Sequence, residues 1–392
     1  MNKKAFIKYL LSQFKLIKKK NKVKKIALHE PSFSKFDEIN LKKCIKTTFV
    51  STFGYFNEEL VKRLKIITKS RFVLPIINGT SALHLSLLAL GIRQNTEVLM
   101  PSLNFIASPN STLYINAIPH FVDVEEESFG IDPQKLRDYL SRVSVIRNNK
   151  CINKKTNRVI SAIIVVHVFG FASKIEELKK IANKYKIKLI EDASEALGSI
   201  YKNKALGTFG DIGTISFNGN KIVTTGGGGA ILTNSKKIYN EILKIYNTGK
   251  KSHRWDLIYE RKAYNYKMPN INAALGCSQL SNLNLRVNKK RKIFLKYKKI
   301  FKNFEKLIEI KCEPKNCKSN YWLNTILLKK ADLKFRNNII KKLNDIKVFA
   351  RPVWRLNHRL KYLSKYPKMN LDKSINLEKK IINIPSSSHL KI

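Results

Sequence analysis

The chain has 392 residues, enough for two domains or for one large domain with an appendage. Hydrophobic residues make up 43% and aromatic residues 10%, which excludes a disordered chain, and five scattered cysteines exclude a disulfide scaffold and favour free thiols. The net charge is +48, but the basic residues are spread along the whole chain among abundant asparagine and isoleucine, so a compositional bias accounts for them better than a nucleic-acid surface.

Residues 1–26 form a basic N-terminal extension without the apolar core and cleavage site of a secretory signal. Helical spacing of its apolar residues predicts an amphipathic helix that docks on the protein itself rather than on a membrane: Ile7, Leu10, Leu11, Phe14 and Ile17. The longest apolar stretch, 160–173, is shorter than the roughly 20 residues of a membrane-spanning helix. We therefore expect a cytoplasmic protein with no stable membrane association.

Residues 27–280 are expected to form a large α/β domain. From Arg71 to about Thr233, apolar strand-like runs alternate with helix-like segments, and the near-continuous apolar strands indicate a mostly parallel sheet covered on both faces. In such folds, ligands bind at the carboxyl ends of the strands. His167, at one of these ends, either faces the ligand site or is a satisfied core histidine.

Residues 281–392 are expected to form a linker helix and a small α+β domain. Aromatic and aliphatic residues recur at three- and four-residue intervals over 287–307, which predicts a long amphipathic helix. The strand-like NYWLNTILL and the helix-like RNNIIKKLNDI follow. Cys312 and Cys317 lack the spacing and the nearby partners of a zinc site, and we expect no metal.

The segment NGTSALH, residues 78–84, ends a strand and begins a helix. Unpaired backbone N–H groups at a helix start, with the Thr80 and Ser81 hydroxyls beside them, suit a phosphate group. A threonine N-cap is the commoner use of such a pattern. This segment alone leaves both interpretations open.

Two later residues are candidate partners for such a group. Asp192 ends a buried strand, where its carboxylate either caps the next turn or needs a cationic partner such as a protonated pyridine nitrogen. Lys221 precedes the glycine run 226–229; it is either a solvated lysine or the amine that forms a Schiff base with an aldehyde cofactor. The order of these features along the chain is the one that a pyridoxal phosphate site needs: a phosphate-binding turn, then an acidic strand end, then Ser216 five residues before Lys221.

With these motifs in place, the chain resembles the sugar aminotransferases named for DegT, DnrJ, EryC1 and StrS from about residue 27 to the end. The matching segments are NGTSALHLSLLALGI, EVLMPSLNFIASPNSTLYINAIPHFVDV, EDASEALGS, GTFGDIGTISFNGNK, TTGGGGAILT and YNYKMPNINAALGCSQL. The resemblance implies a fold-type-I large domain dependent on pyridoxal 5′-phosphate (PLP), and a nucleotide-sugar substrate.

The resemblance also implies a role for each matching residue. Lys221 corresponds to the Schiff-base lysine and proton shuttle, Asp192 to the partner of the pyridine nitrogen, and Phe105 to the residue stacked on the ring. The expected cofactor-binding residues at the strand ends are Gly79, Thr80, Ser81 and Ser216, the last three at the phosphate. Asn265 resembles the residue that reaches the phosphate from a neighbouring subunit, which implies a homodimer with shared active sites.

Two positions depart from most family members. The chain has Glu195, a further expected cofactor-binding residue, instead of glutamine, and Lys267, which lacks the bidentate fork of arginine. Glu195 is typical of the LegC-like branch, which acts on UDP-linked 4-keto-6-deoxy amino sugars, and ALHEPSF, SFNGNKIVTTGGGG and FARPVWRLNH also resemble that branch. On this resemblance, the substrate-binding residues are His29, Glu30, Arg351 and Trp354.

The resulting hypothesis is a cytoplasmic PLP-dependent aminotransferase that moves an amino group from L-glutamate to C4 of a UDP-4-keto-6-deoxy-N-acetylhexosamine, as in bacillosamine or legionaminic acid formation. Transfer to another nucleotide-linked keto sugar, as in perosamine or 3-amino sugar synthesis, is an alternative. A dehydratase of the same family is another, although such enzymes carry histidine in place of Lys221. A basic nucleic-acid-binding protein and a catalytically silent regulator complete the alternatives.

Overall fold

The structure, a computed structural model, describes residues 3–251 and 253–392. The first two residues of the predicted N-terminal extension therefore lie outside the described residues. The helices are α1 Lys3–Asn21, α2 Lys35–Lys46, α3 Tyr55–Thr68, α4 Gly79–Ala89, α5 Ala107–Leu113, α6 Pro133–Val143, α7 Ile175–Lys184, α8 Lys236–Tyr246, α9 Asn270–Ser281, α10 Leu283–Ile300, α11 Leu333–Asp345 and α12 Asp372–Glu378.

The strands are short and mostly buried. They are β1 Phe72–Ile76, β2 Glu97–Pro101, β3 Ile118–Val122, β4 Ser144–Arg147, β5 Lys150–Asn153, β6 Val159–Val166, β7 Lys188–Asp192, β8 Ile200–Tyr201, β9 Lys204–Ala205, β10 Ile212–Ser216, β11 Gly229–Thr233, β12 Ile308–Ile310, β13 Cys317–Lys318, β14 Asn324–Leu328, β15 Arg351–Pro352 and β16 Ile381–Ile384.

The large sheet has a parallel centre and antiparallel edges. Its order is β1-β11-β10-β7-β6-β2-β3, with the β4–β5 hairpin joined to the start of β6. The strands from β3 to β10 in this order pair in parallel, whereas β11 runs antiparallel to both β10 and β1. The predicted α/β class with a mostly parallel central sheet is confirmed.

The sheet is covered on both faces because its strands are apolar on both. Along β6, Ile164 and Val166 pack into one hydrophobic cluster, while Ile163 and Val165 pack into another. Side chains alternate between the faces of a strand, so a continuous apolar run supplies two cores at once. The run VISAIIVV has this composition.

The C-terminal region contains a small antiparallel sheet in the order β12-β14-β16-β15, with α10, α11 and α12. This is the small α+β unit that the sequence predicts. The linker helix ends at Ile300, earlier than the expected Leu307, and a single turn of 3-10 helix, Lys302–Phe304, follows. The domain limits at 26/27 and 280/281 stay predictions.

The N-terminal helix α1 packs on the C-terminal region. Its buried side chains are Phe6, Leu10, Phe14 and Ile17. The Phe6 ring contacts the rings of Phe301, Phe304 and Phe335, and the Tyr9 hydroxyl donates to the carbonyl oxygen of Ile300 at 3.1 Å. The expectation that this helix docks on the protein itself is confirmed. None of the helices in the described part of the chain combines the length and apolar character needed to cross a bilayer.

Candidate active site

The carboxyl ends of three strands meet at one edge of the large sheet. Strands β1 and β10 both pair antiparallel with β11, so they run in the same direction, and β7 is parallel to β10. Gly79, Asp192 and Ser216 are therefore placed at the same edge. A Cβ on Gly79 would lie 3.1 Å from Cβ of Ser216, which shows how closely these loops approach. A cavity of about 750 Å³ opens here.

The start of α4 forms one end of this cavity. The Asn78 side chain caps the helix by accepting from the Ser81 N–H at 2.7 Å. Helix geometry leaves the N–H groups of Gly79 and Thr80 without intrahelical partners, and both residues line the cavity. The threonine N-cap that the pattern favours is wrong, because Asn78 takes that position. Two N–H groups remain to bind an anion.

Asp192 brings a negative charge to the cavity. It is 5% exposed, and its Oδ1 accepts from the Ser194 N–H at 3.0 Å. Among the residues that the structure describes, no cationic side chain lies within 4.0 Å of this carboxylate. A buried, ionised carboxylate is costly without a positive partner. The site is therefore suited to a ligand that brings a positive charge to Asp192.

Lys221 extends its amine into the same space. Its Nζ lies 3.2 Å from Oε1 of Glu195 and 3.9 Å from the centroid of the Trp322 ring. Burial raises the pKa of the Glu195 carboxyl above its ordinary value, and the charge on Lys221 opposes that shift. The amine is thus enclosed by a carboxylate and an aromatic face rather than by water.

Aromatic side chains form much of the cavity wall. The centroid of the Trp354 ring lies 5.3 Å from the centroid of the Phe169 ring and 6.5 Å from that of the Phe105 ring. Phe105 is 52% exposed, so its ring can cover a planar ligand. Such walls suit the flat ring of a cofactor and the apolar faces of a sugar.

The wall also carries unpaired polar atoms. His29 and Asn104 line the cavity, and within the described part of the chain neither Nδ1 of His29 nor Oδ1 of Asn104 has a hydrogen-bond partner. Burial lowers the pKa of His29 well below its ordinary value, and the nearby charges of Lys290 and Lys221 lower it further. The imidazole is therefore neutral at pH 7. Arg351 also lines the cavity.

Three expected site residues do not line this cavity. The Ser81 N–H is used by the Asn78 cap. Glu30 lies 3.5 Å from Nε2 of His389, with its side chain half exposed. Asn265 forms an isolated bridge with Asn247, outside the cavity of its own chain, and its expected role in a neighbouring subunit stays a prediction.

His167 lies in the protein core and does not face the cavity. The residue is fully buried, and its Nδ1 accepts from the Ser173 N–H at 3.2 Å. Its Nε2 therefore carries the hydrogen, which it donates to Glu191 at 2.9 Å. Because both ring nitrogens are used within the protein, His167 is a satisfied core histidine.

Among the cavity residues that sequence reasoning missed are Asn104, Phe169 and Trp322. Asn104 and Phe169 follow the ends of β2 and β6, so the rule that ligands bind beyond the carboxyl ends of parallel strands could have found them. Trp322 comes from the C-terminal region, about one hundred residues after Lys221 along the chain. No local pattern connects these two residues.

Comparison with known families decides the identity. The model of the DegT/DnrJ/EryC1/StrS aminotransferase family matches residues 32–392. The chain belongs to the DegT/DnrJ/EryC1/StrS aminotransferase family. The predicted family, the aminotransferase activity and the PLP cofactor are thereby confirmed. The match begins after α1, so that helix lies outside the family model.

Relatives within this family match over most of the chain. A GDP-perosamine synthase from Escherichia coli O157:H7 is 35% identical over 93% of this chain and 94% of its own length. A UDP-4-amino-4,6-dideoxy-N-acetyl-β-L-altrosamine transaminase from Campylobacter jejuni is 31% identical over 80% of each chain. The solved structure of Helicobacter pylori PseC, an aminotransferase of pseudoaminic acid biosynthesis, has a TM-score of 0.84 at 22% identity, covering 94% of this chain and 95% of its own. That structural likeness concerns the fold.

The residues in the cavity fit the family's cofactor. The N–H groups of Gly79 and Thr80 can receive its phosphate. Asp192, buried and without a cationic partner in the described chain, can receive its protonated ring nitrogen. Lys221 can offer its amine to the aldehyde, and the exposed ring of Phe105 in the same cavity can cover the cofactor ring. The phosphate, the ring nitrogen, the aldehyde and the ring face of pyridoxal phosphate each have a complementary group in the cavity wall.

Proposed function

We propose that the protein transfers an amino group from L-glutamate to C4 of a UDP-4-keto-6-deoxy-N-acetylhexosamine. The observation that carries the chemistry is the convergence of the Lys221 amine, the Asp192 carboxylate and the start of α4 on one cavity of about 750 Å³. This volume accommodates a cofactor together with a sugar. The substrate class rests on the membership of the chain in a sugar aminotransferase family and on the LegC-like segments.

When bound, PLP supplies a ring that withdraws electrons from the substrate carbon attached to the transferred nitrogen. Gly79, Thr80 and Ser216 would hold its phosphate, and Asp192 would keep its ring nitrogen positive. Lys221 would provide the amine that attaches the cofactor to the protein. Once free, its Nζ removes the proton from Cα of glutamate, which requires a neutral amine at that moment. Glu195, 3.2 Å away, compensates the charge whenever Nζ is protonated.

The sugar is held by the outer part of the cavity. Trp354 contacts its apolar faces, and His29 and Arg351 bind its polar groups. A neutral imidazole can exchange hydrogen bonds with a sugar hydroxyl or an acetamido group without attracting a counterion. Arg351 is exposed at the mouth of the cavity, where a guanidinium suits the diphosphate of a sugar nucleotide.

A second candidate substrate is a GDP-linked 4-keto-6-deoxyhexose. The observation that favours it is the 35% identity, over nearly the full length of both chains, to a GDP-perosamine synthase. Both candidates place the keto group at C4 of a 6-deoxy sugar. They differ in the nucleotide base and in the substituent at C2, which are the features that a substrate panel separates.

We also propose a cytoplasmic homodimer with shared active sites. Large aromatic side chains between residues 33 and 55 are more than 60% exposed: Phe33, Phe36, Phe49, Phe53 and Tyr55. Exposed apolar side chains of this size are typical of a subunit interface. In such a dimer, Asn265 would reach the cofactor of the neighbouring subunit, as the family resemblance implies.

The test is a transamination assay of the purified protein with L-glutamate and three keto sugars, linked to UDP, GDP and dTDP. We expect 2-oxoglutarate and the 4-amino sugar from the UDP substrate, detected by mass spectrometry. The variant Lys221→Ala should lose turnover, whereas Lys330→Ala, at an exposed lysine, should match the parent. Undiminished turnover of Lys221→Ala would refute the mechanism, and a product from the GDP sugar alone would establish the second candidate.

A further inference from the structure

Trp322 contacts the catalytic amine although it belongs to the C-terminal region. Its ring lies 3.9 Å from Nζ of Lys221, and the Glu195 carboxylate lies 3.2 Å from the same atom. The Lys221 side chain is 13% exposed and Trp322 is 5% exposed. The amine therefore has two favourable contacts in a space nearly closed to water.

The Trp322 ring is held in place from both sides. Its Nε1–H donates to the carbonyl oxygen of Asn220, the residue before Lys221, at 2.8 Å. Its backbone N–H donates to Oδ1 of Asn320, also at 2.8 Å. These two hydrogen bonds attach the indole to the loop that carries Lys221 and keep its face against the amine.

The same segment fixes the loop that carries Glu195. The Asn320 amide donates to the carbonyl oxygens of Glu195 and Leu197, both at 2.9 Å. Oε2 of Glu195 accepts from the Phe169 N–H at 2.9 Å, which leaves Oε1 for Lys221. Gly170 has a φ of +91°, and a Cβ there would collide with Asn320. Residues 320–322 therefore supply one partner of the Lys221 amine, Trp322, and fix the position of the other, Glu195.

The charge on Lys221 decides what these contacts do. An ammonium over an aromatic face is stabilised by the ring quadrupole, and more strongly where water is excluded, whereas a neutral amine gains little. A carboxylate likewise favours the charged form. Both contacts hold the amine when it carries a proton and release it when the proton leaves.

We infer that Trp322 is a positioning residue which, together with Glu195, forms a resting site for the Lys221 ammonium while that amine is not joined to the cofactor. The inference rests on the proposed catalytic role of Lys221, but it does not depend on which sugar is the substrate. During turnover the Lys221 amine must separate from the cofactor, stay close to it and join it again. A site that binds only its protonated form keeps the side chain within reach and retains the proton.

The experiment measures the reactivity of Lys221 in the full chain saturated with pyridoxamine 5′-phosphate, the amine form of the cofactor, which leaves the lysine free. Trace acetylation with acetic anhydride is followed across pH, because only the neutral amine reacts. Mass spectrometry compares the peptide containing Lys221 with that of the exposed Lys330 in the same digest. No keto sugar or glutamate is present, so the outcome is independent of the transamination assay.

We expect Trp322→Leu to react about threefold to tenfold faster below the midpoint, with the midpoint of its pH profile lower by about 0.5–1 pH unit. Trp322→Phe, which keeps an aromatic face, should shift less in the same direction. Trp354→Leu is the matched control: it removes a ring from the same cavity, and among the described residues no cation lies over that ring. Its profile should match the parent.

An unchanged profile in a folded Trp322→Leu variant would overturn the inference and leave Trp322 a packing residue. An upward shift would also overturn it, because that is the effect of water entering the cavity and solvating the ammonium. An equal shift in Trp354→Leu would assign the effect to the cavity in general. If Trp322→Leu does not fold, the comparison of Trp322→Phe with the parent decides, and the absence of a shift there overturns the inference.

Discussion

Glu191 and Asp192 are neighbours in β7, yet their carboxylates lie on opposite faces of the sheet. Glu191 is fully buried and accepts hydrogen bonds from His167 and from the backbone N–H groups of Gly207, Phe209 and Gly210. Asp192 instead lines the active-site cavity. Successive side chains of a strand alternate between its faces, so this dipeptide supplies one carboxylate to the protein core and one to the cavity.

The substitutions Asp192→Asn and Glu191→Gln should therefore have different effects. Asp192→Asn removes the negative charge offered to the cofactor, and we expect turnover to fall by at least about 100-fold with the melting temperature nearly unchanged. Glu191→Gln disturbs a buried, charged hydrogen-bond network, and we expect a loss of about 2 to 4 kcal/mol in the free energy of unfolding. Steady-state kinetics and denaturant unfolding of both variants provide the check. Full activity of Asp192→Asn would contradict the role of that carboxylate.

His29 is expected to bind substrate as a neutral imidazole. Because burial and nearby lysines lower its pKa well below the ordinary value, its NMR signals should not titrate between pH 6 and 8. His29→Leu removes the hydrogen bond and should raise KM for the sugar nucleotide about threefold to tenfold, while His29→Asn, which places an amide near Nδ1, should raise it less. A titration of His29 near pH 6.5 would contradict this account.

Lys290 is predicted to cost stability at neutral pH. It is fully buried in α10, donates to the carbonyl oxygen of Ser386, and forms no ion pair among the described residues. Burial lowers its pKa well below the ordinary value, so between that lowered pKa and the unfolded-state pKa, about 10.4, unfolding takes up a proton and the free energy of unfolding rises with pH.

The variant Lys290→Met keeps the length of the side chain and removes the charge. We expect it to gain about 1 to 3 kcal/mol at pH 7 and progressively less toward pH 10, measured by thermal unfolding at both pH values. Lys292→Met, at an exposed position of the same helix, is the control and should change stability by less than about 0.5 kcal/mol. An equal gain at both pH values would argue against proton uptake as the cause.

Helix α1 is predicted to be a structural part of the C-terminal region. Phe14 is fully buried, and its ring centroid lies 5.9 Å from that of Tyr297, whereas Leu16 is 59% exposed. Phe14→Ala should lower the free energy of unfolding by about 3 to 5 kcal/mol, and Leu16→Ala by no more than about 0.5 kcal/mol. Denaturant unfolding distinguishes the two, and equal small losses would show that the helix adds no stability.

Much of the fold could be predicted because it depends on local patterns. Apolar runs such as VISAIIVV indicate strands covered on both faces, and helical spacing in α1 and α10 indicates their buried sides. Element ends were less predictable. The linker helix stops at Ile300 rather than Leu307, and Asn78 rather than Thr80 caps α4, because caps and helix ends depend on hydrogen bonds that several neighbouring residues compete to form.

The sequence alone determined the fold class, because apolar runs and helical spacing are local patterns, and it indicated the family through a resemblance carried by several motifs in order along the chain. Only the tertiary structure decided which side chains share the cavity. It placed the Trp322 ring against the Lys221 amine, buried His167 in the core and left Glu30 at the surface. Contacts between residues far apart in the chain follow from how strands and loops pack in space, and no spacing along the sequence encodes that distance.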